Sequence, residues 1–257
     1  MAEPVLLRHD DGPIVTLMLN NPAALNALST QMLTRLGTEL ASIAASNLRV
    51  VILKANGHNF CAGHDLKEIQ SLRSAPDGGK AGFTALFALC AAVMQQLATL
   101  PQPVIATVQG IATAAGCQLA ASCDMIVAAD TARFGVNGVN IGLFCHTPLV
   151  ALSRKIAPAQ AFELAATGAF ISAARAEALG LVTKTAAPAD LAAATQSLAE
   201  TLARKLPLAL TLGKRAASQP LAAAYQKASA AMVENLLSPQ TAEGIAAFLD
   251  KRPPNWA

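Results

Sequence analysis

Short apolar runs alternate with helical patterns along most of this chain, and this alternation constrains the fold more than any other feature. Val50–Lys54, Pro103–Val108 and Met125–Ala128 are short and almost wholly apolar. Runs of this kind are typical of strands buried on both faces of a parallel sheet. From Pro158 onward the pattern is almost wholly helical, with Leu181–Lys184 as a strand candidate. We therefore expect an α/β core followed by an all-helical C-terminal region.

The N-terminal part carries clear local signals. Val5–Arg8 and Ile14–Leu19 are predicted to be strands, because a turn sequence with Gly12 and Pro13 separates them. Ser29 is expected to cap a helix that reaches about residue 45, since apolar residues recur there at helical spacing. Further helices are expected over Phe83–Ala98, Ala114–Ser122 and Pro148–Ile156.

Composition excludes several classes of protein. Hydrophobic residues make up 53% of the 257 residues and charged residues 14%, which argues against disorder. Gln118 and Asp124 interrupt the apolar stretch Ile111–Ala129, which indicates a buried core segment rather than a membrane span. The net charge is +3 and the 19 Lys and Arg residues are scattered, so no nucleic-acid partner is expected. The N-terminus has no signal or transit pattern, which predicts a cytoplasmic protein.

Cysteines and histidines show no metal-site spacing. No two of the five cysteines form a C-x-x-C pair, and most lie in apolar surroundings typical of core residues in a reducing compartment: Cys61, Cys90, Cys117, Cys123 and Cys145. The four histidines contain no helical i, i+4 pair: His9, His58, His64 and His146. We therefore predict no metal site.

Two stretches carry more specific information. The first contains Val50-Val51-Ile52-Leu53 and then Asn59-Phe60-Cys61-Ala62-Gly63-His64-Asp65-Leu66-Lys67-Glu68. The second contains Pro103-Val104-Ile105-Ala106, Gly110, Ala114-Ala115-Gly116-Cys117-Gln118-Leu119-Ala120, Cys123-Asp124 and Ala132-Arg133-Phe134-Gly135. In this order they resemble the two signature regions of the enoyl-CoA hydratase/isomerase (crotonase) family. Supporting matches lie at Asn26–Ser29, Ala176–Val182 and Glu243–Pro253, so the resemblance covers nearly the whole chain.

The resemblance implies the crotonase (ClpP-like) spiral fold, an α/β fold of repeated ββα units with an all-helical C-terminal region. It implies that residues 1–195 form the α/β core with the CoA pocket and that residues 196–257 form a helical trimerisation region. A homotrimer or a dimer of trimers is expected. Coenzyme A would enter as part of an acyl-CoA substrate, so no separate cofactor is expected, nor a membrane partner.

An oxyanion hole is the central feature that the resemblance implies. The main-chain amides of His64 and Ala115 would donate hydrogen bonds to the thioester oxygen. Small residues let the main chain approach this oxygen, and a helix N-terminus favours its negative charge. Cys61–His64 supplies a glycine turn, and Ala114–Gly116 supplies a small-residue turn where the family usually has consecutive glycines.

The CoA-binding positions also follow from the resemblance. The backbone around five residues would line the adenine and pantetheine channel: Ala24, Leu25, Ala62, Asp65 and Leu66. Phe248 and Lys251 would reach CoA across a subunit boundary. An ordinary solvated lysine is the alternative for Lys251.

The sequence departs from the family where hydratases carry two glutamates. Gln118 stands at the first position and Gly138 at the second. Neither can transfer a proton, and a positioned acid–base group contributes about 10²–10⁴-fold. Hydration of an enoyl thioester is therefore expected to be slow unless another residue substitutes.

Three side chains are weighed as substitutes. Gln118 either orients a water molecule or fills space. Cys145 is either a nucleophile or a buried inert thiol, and the inert thiol is favoured because nothing nearby lowers its pKa. His146 lies in the loop where some family members carry a functional aspartate, and its imidazole is expected to point into the pocket. The alternative for His146 is a loop residue at the start of the next helix.

Taken together, these residues predict an enzyme of the lyase or isomerase class that acts on an acyl- or enoyl-CoA thioester through an enolate-like intermediate. Two other classes are kept as alternatives. One is a non-catalytic acyl-CoA-binding protein that retains the pocket without the glutamates. The other is a nucleic-acid-binding member of the family, which the scattered charge disfavours.

Overall fold

The computed structural model describes residues 3–217 and 222–255. In chain order the strands are β1 (Leu6–Asp11), β2 (Ile14–Leu19), β3 (Val50–Ala55), β4 (Val104–Val108), β5 (Ile111–Thr113), β6 (Met125–Ala129), β7 (Arg133–Gly135), β8 (Phe170–Ser172) and β9 (Lys184–Ala186). The helices are α1 (Thr30–Ala44), α2 (Leu66–Leu72), α3 (Lys80–Thr99), α4 (Ala115–Ser122), α5 (His146–Leu152), α6 (Pro158–Thr167), α7 (Ala173–Ala178), α8 (Leu191–Ala203), α9 (Pro207–Ala217), α10 (Ala222–Leu236) and α11 (Pro239–Leu249). Pro22–Ala24 and Asn137–Ile141 form short 3-10 helices.

Two sheets organise these elements. The larger has the strand order β1-β2-β3-β4-β6-β9, in which β1 and β2 are antiparallel and every later pair is parallel. The smaller has the order β5-β7-β8, with β5 parallel and β8 antiparallel to β7. The parallel strands connect through helices, and helices α8 to α11 follow the last strand. The predicted α/β class with a helical C-terminal region is confirmed.

The centre of the large sheet has the burial that its sequence predicts. All five residues of β4 are buried, and so are all residues of β3 except Lys54. Helix α8 covers these strands on one face. Ser29 caps α1 as predicted, because its hydroxyl oxygen accepts a hydrogen bond from the amide of Met32 at 3.2 Å. The five cysteines are buried and unpaired, as expected for core residues.

The small sheet was not predicted. Its strands β5, β7 and β8 have three residues each, which is too short to show the two-residue alternation of a strand. Leu181 and Val182 are buried in a loop, and the predicted strand begins only at Lys184. The helix predicted from Pro148 begins two residues earlier, at His146.

The predicted boundary between core and helical region at residue 195 falls inside α8. Thr107 of β4 hydrogen bonds to Thr195 through their hydroxyl groups at 3.2 Å, so α8 belongs to the layer that covers the sheet. The division into a core and a helical region stays a prediction. Residues 218–221 and 256–257 of that region lie outside the described residues, and its role in trimerisation stays a prediction.

One described helix, α3, is long and apolar enough to cross a membrane by length and composition. Its buried face includes Phe83, Phe87 and Met94, which pack in the hydrophobic core. The stretch Ile111–Ala129 divides into β5, α4 and β6 and is largely buried, as predicted for a core segment.

A buried lysine attaches α9 to the rest of the protein. The Lys214 ammonium donates to the carbonyl oxygens of Leu97 and Gln102, at 2.8 and 3.1 Å. It also lies 2.7 Å from a carboxylate oxygen of Asp124, which precedes β6. Only 9% of the Lys214 side chain is exposed, so this cluster holds α9 against the core.

Candidate functional site

Two segments from different parts of the chain meet beside the small sheet. The Cys61 amide donates to the carbonyl oxygen of Ile111 at 3.1 Å, and the Cys61 carbonyl accepts from the Thr113 amide at 3.0 Å. This strand-like pairing places the turn that follows Cys61 against the start of α4. The two stretches that carry the family resemblance are therefore joined by main-chain hydrogen bonds.

Asn26 fixes the chain that leads into this turn. Its side-chain amide donates to the carbonyl oxygens of Asn56 and Asn59, each at 2.9 Å, and its own oxygen accepts from the Asn21 amide at 2.9 Å. Asn26 is buried and has a φ of 53°, a left-handed conformation that asparagine tolerates better than most residues. One buried side chain thus connects the N-terminal loop to the loop before Gly63.

The contact between the turns requires glycine on both sides. A β-carbon on Gly63 would lie 2.9 Å from the β-carbon of Ala114 and 3.2 Å from the amide nitrogen of Ala115. A β-carbon on Gly116 would collide with the carbonyl oxygen of Cys61. Ala114 is tolerated because Gly63 has no side chain to meet its β-carbon, whereas Gly116 cannot be replaced without displacing Cys61.

Two main-chain amides at this junction have no partner. Among the described residues, no oxygen accepts a hydrogen bond from the amide of His64 or of Ala115. Ala115 is the first residue of α4, where an amide has no partner within the helix. Ala114 precedes it with a φ of 49° and a ψ of −124°, a conformation that favours glycine and costs on the order of 1–3 kcal/mol in other residues.

A cavity of about 310 Å³ opens at these amides. Most of its lining is apolar, and no Asp, Glu, Lys or Arg contributes to it among the described residues. The lining residues are Ala62, His64, Leu66, Ile69, Thr113, Ala114, Ala115, Asn137, Gly138, Asn140, Ile141, Leu143, Cys145, Thr147, Pro148, Met232 and Phe248. A pocket of this character suits an uncharged ligand group.

The His64 side chain is held neutral. Its Nδ1 lies 3.2 Å from the carbonyl oxygen of Leu28, which can only accept, so Nδ1 carries the proton. Burial lowers the pKa of His64 to about 4, and the edge-on contact with the ring of Phe87, at 5.1 Å between centroids, excludes water from one side. The imidazole therefore serves as a fixed wall of the cavity near neutral pH.

Gln118 lies behind the cavity wall. It is fully buried, and its Oε1 accepts a hydrogen bond from the hydroxyl of Thr147 at 3.1 Å. Thr147 lines the cavity, whereas Gln118 does not. Thr147 therefore stands between the amide and any ligand, which supports the space-filling interpretation of Gln118 over direct orientation of a water molecule.

Gly138 has no room for a side chain. A β-carbon there would collide with the carbonyl oxygen of Leu143 and would lie 2.8 Å from the sulfur of Cys145. The Gly138 amide donates to the same sulfur at 3.3 Å. Burial raises the pKa of the Cys145 thiol to about 11, so the thiol is protonated near neutral pH. Cys145 lines the cavity as the inert thiol that the sequence favours.

His146 is not among the residues that line the cavity, and its catalytic role stays a prediction. Cys145 and Thr147 line the cavity, but His146 between them does not. Its ring packs edge-on against Phe144, at 5.0 Å between centroids, and burial lowers its pKa. Because α5 begins at His146, the side chains of Cys145, His146 and Thr147 leave the helix in different directions.

The residues expected to bind CoA are only partly gathered at the cavity. Ala62, Leu66 and Phe248 line it, and 58% of the Phe248 side chain is exposed. Leu25, which follows Ala24 in the chain, has an exposed side chain. Its carbonyl oxygen accepts a hydrogen bond from the Ala62 amide at 3.1 Å. Their roles stay predictions.

Asp65 and Lys251 have local structural roles in addition. The Asp65 carboxylate caps α2 by accepting from the amides of Lys67 and Glu68, at 2.9 and 3.3 Å. Lys251 is exposed, has a φ of 55° and follows the end of α11, where its amide donates to the carbonyl oxygen of Phe248 at 3.2 Å. Neither residue lines the cavity.

Sequence reasoning missed several residues of the cavity wall, among them Asn137, Thr147 and Met232. Asn137 directly precedes Gly138, and Thr147 directly follows His146, so both lie beside positions that the resemblance does single out. Met232 comes from α10, far along the chain, and its sulfur lies 3.1 Å from the Thr147 hydroxyl. No local pattern in the sequence signals that contact.

Comparison with known proteins connects this site to a family. The family model for enoyl-CoA hydratase/isomerase matches residues 10–257. The human enoyl-CoA hydratase domain-containing protein 3, a mitochondrial protein, is 42% identical over 259 residues, with 99% of this chain and 84% of that protein covered. Its compartment does not support the cytoplasmic location predicted from the N-terminal residues.

Solved structures show the same relationship. The crystal structure of an enoyl-CoA hydratase from Mycobacterium smegmatis superposes with a TM-score of 0.80 at 45% identity and covers 99% of both chains. The crystal structure of the human domain-containing protein 3 gives a TM-score of 0.78 at 40% identity, with 98% of this chain and 100% of that one covered. The predicted crotonase fold is confirmed.

Proposed function

Because this chain belongs to the enoyl-CoA hydratase/isomerase family, we propose that it binds acyl- or enoyl-CoA thioesters with the carbonyl oxygen between the amides of His64 and Ala115. The observation that carries this proposal is that both amides lack a partner in the described part of the chain and that both residues border one cavity. A ligand oxygen placed there would complete two main-chain hydrogen bonds that the protein leaves open.

The chemistry that such a pair supports is stabilisation of an enolate. When a proton leaves the α carbon of a thioester, negative charge moves to the carbonyl oxygen, and the charge leaves that oxygen again when a proton joins the α carbon. Each preorganised amide donor is worth roughly 3–4 kcal/mol to a transition state of this kind. The dipole of α4, which begins at Ala115, adds to the effect.

Hydration of crotonyl-CoA is not the favoured reaction. It needs one group to activate water and another to protonate the α carbon, and each typically contributes about 10²–10⁴-fold. The amide of Gln118 cannot supply a proton and lies behind Thr147, and the backbone around Gly138 leaves no room for a second carboxylate. We propose an isomerase or lyase reaction at the α or β carbon in which substrate or water carries the proton.

A non-catalytic acyl-CoA-binding protein is the second candidate. It is favoured by the state of the two cavity residues that can ionise, His64 and Cys145. The pKa of His64 is lowered to about 4 and that of Cys145 is raised to about 11, in both cases chiefly by burial. Neither group gains or loses a proton near neutral pH.

Exposed apolar side chains indicate how copies of this chain would assemble. Phe248 is exposed beside the cavity, and Leu208 and Leu212 of α9 are also exposed. We propose a homotrimer or a dimer of trimers, in which these apolar surfaces are covered by neighbouring copies. Light scattering at micromolar concentration should report three or six copies, and a monomer would contradict this assembly.

Calorimetric titration with butyryl-CoA and crotonyl-CoA tests the binding proposal, with free CoA as the reference ligand. We expect tighter binding of both thioesters than of CoA. A turnover screen with crotonyl-, dienoyl- and 3-hydroxyacyl-CoA then separates the candidates, because an enzyme should convert at least one class and a binding protein none. Equal affinity for thioesters and CoA would contradict the placement of the carbonyl at the two amides.

A further inference from the structure

Asn137 brings an unused hydrogen-bond donor to the cavity. It lies at the start of the 3-10 helix after β7 and is one of the lining residues. Its side-chain oxygen accepts a hydrogen bond from the hydroxyl of Thr113 at 2.7 Å. Its side-chain nitrogen, Nδ2, has no hydrogen-bond partner within residues 3–217 and 222–255.

The orientation of the amide follows from the single proton of Thr113. That hydroxyl lies 2.7 Å from Asn137 Oδ1 and 3.2 Å from the carbonyl oxygen of Gly135. The Gly135 oxygen already accepts from the amide of Ala114 at 3.0 Å. The contact with Asn137 is the shorter of the two, so Thr113 donates to Oδ1, which keeps this oxygen away from the ligand and leaves both Nδ2 hydrogens for the cavity.

The donor and the proposed thioester site share one wall. Thr113 is the last residue of β5, and Ala115, whose amide is open, follows two residues later. An acyl chain that places its carbonyl at Ala115 would pass the side chain that Thr113 holds. If that part of the chain is purely apolar, the Asn137 amide loses water and gains nothing, which disfavours binding.

The chemistry of the wall also restricts the charge of the partner. No Lys or Arg among the described residues lines the cavity, and His64 is neutral. A carboxylate on the acyl group would be buried without a counter-charge, which is costly. A keto or hydroxyl oxygen accepts a hydrogen bond without that cost.

We infer that Asn137 is a specificity-determining residue, which donates from Nδ2 to a neutral keto or hydroxyl oxygen on the acyl group, near the thioester end. Thr113 is its positioning residue. This inference rests on the proposed function, because it assumes that a CoA thioester occupies the cavity. It narrows the ligand class to acyl-CoA thioesters that carry an additional neutral oxygen.

The test compares two ligands that differ at one carbon. Acetoacetyl-CoA and butyryl-CoA have equal chain length, and only the first has an oxygen on the third carbon. Calorimetry should give about 2- to 10-fold tighter binding of acetoacetyl-CoA, the range for one net hydrogen bond. 3-Hydroxybutyryl-CoA should share the preference, and succinyl-CoA should bind more weakly than either oxygenated ligand.

Matched variants assign the preference to Asn137. Asn137→Asp keeps the shape and the acceptor for Thr113 but replaces the donor with an oxygen, so the preference should disappear; Asn137→Ala should also abolish it. Thr113→Val should reduce the preference, and Thr113→Ser should retain it. Asn47→Asp adds the same charge at an exposed residue that does not line the cavity, and should retain the preference as well.

The possible outcomes distinguish a failure of this inference from a failure of the proposed function. Equal affinity of the wild-type protein for acetoacetyl-CoA and butyryl-CoA, or a preference that survives in both Asn137 variants, would overturn the inference and leave thioester binding intact. Preference for succinyl-CoA would also overturn it. If no thioester binds better than free CoA, the proposed function fails and the inference fails with it.

Discussion

The amide nitrogen of Ala115 lies 3.2 Å from the point that a β-carbon on Gly63 would occupy. These two residues are far apart in the chain, and their approach joins the turn after Cys61 to the first turn of α4. The open amide of His64 follows Gly63 directly, so one close main-chain contact sets the spacing of both proposed donors.

Replacement of Gly63 tests that contact. Gly63 has a φ of +98°, and the added methyl group of Gly63→Ala would meet Ala114 at 2.9 Å. We expect a loss of about 3 kcal/mol in the free energy of unfolding together with loss of acyl-CoA binding. Gly12→Ala is the control, because Gly12 has a φ of +54° but nothing within 4 Å. Urea unfolding should show a loss of only about 1 kcal/mol there, and equal losses would mean that the turns do not need their close contact.

The position of Thr147 predicts how a restored carboxylate would behave. Gln118→Glu places its carboxyl group behind the Thr147 hydroxyl, so crotonyl-CoA hydration should not change. The double variant Gln118→Glu/Thr147→Ala removes the barrier, and hydration should rise by up to about 10²-fold, with Thr147→Ala alone as the control. Initial rates on crotonyl-CoA measure this. A gain in the single variant as large as in the double one would show that Thr147 does not shield position 118.

Lowering the pH should reduce the free energy of unfolding, because the imidazole of His64 is buried. Its pKa is lowered by burial from 6.5 to about 4 in the folded protein, so between these values the unfolded chain binds a proton that the folded chain does not. Stability is therefore complete above pH 6.5, falls as the pH decreases towards 4 and then levels off. The loss has an upper bound of about 3 kcal/mol. Urea unfolding across this range should show the loss in the wild-type protein and not in His64→Asn; parallel curves would contradict the low pKa.

The Lys214–Asp124 pair should contribute more to the free energy of unfolding than ion pairs at the surface. Lys214→Met would leave the Asp124 carboxylate without its counter-charge and the carbonyl oxygens of Leu97 and Gln102 without the ammonium donor. We expect a loss of about 3 kcal/mol by denaturant unfolding. Arg35→Met is the control, since Arg35 pairs with Glu39 along α1 with 51% of its side chain exposed. The control should lose less than about 0.5 kcal/mol, and similar losses would mean that Lys214 does not anchor α9.

Local sequence patterns predicted those parts of the fold that depend on residues close together in the chain. The strands β3 and β4 are buried because apolar residues occupy nearly all their positions, and Ser29 caps α1 with its own hydroxyl. The three-residue strands of the small sheet are too short to show an alternation of apolar and polar residues. Their pairing depends on Cys61 and β5, which come together only in the folded chain.

The same distinction applies to the functional site, where some features follow from local sequence and others from contacts between distant residues. The glycine turns were predictable because close main-chain approach demands small residues in the sequence. The direction of the His146 side chain was not, because it depends on where α5 begins, and the start of a short helix is poorly marked. Asn137 acquires its role only through the Thr113 hydroxyl on another strand, and Thr147 through Gln118 and Met232.

The infrared carbonyl stretch of bound butyryl-CoA, labelled with carbon-13 at the thioester carbonyl, tests the central claim most directly. Two hydrogen bonds from the amides of His64 and Ala115 would polarise the carbonyl and move its stretch to lower wavenumber than in water. A carbonyl stretch at the value of the free thioester in a saturated complex with the wild-type protein would contradict the account.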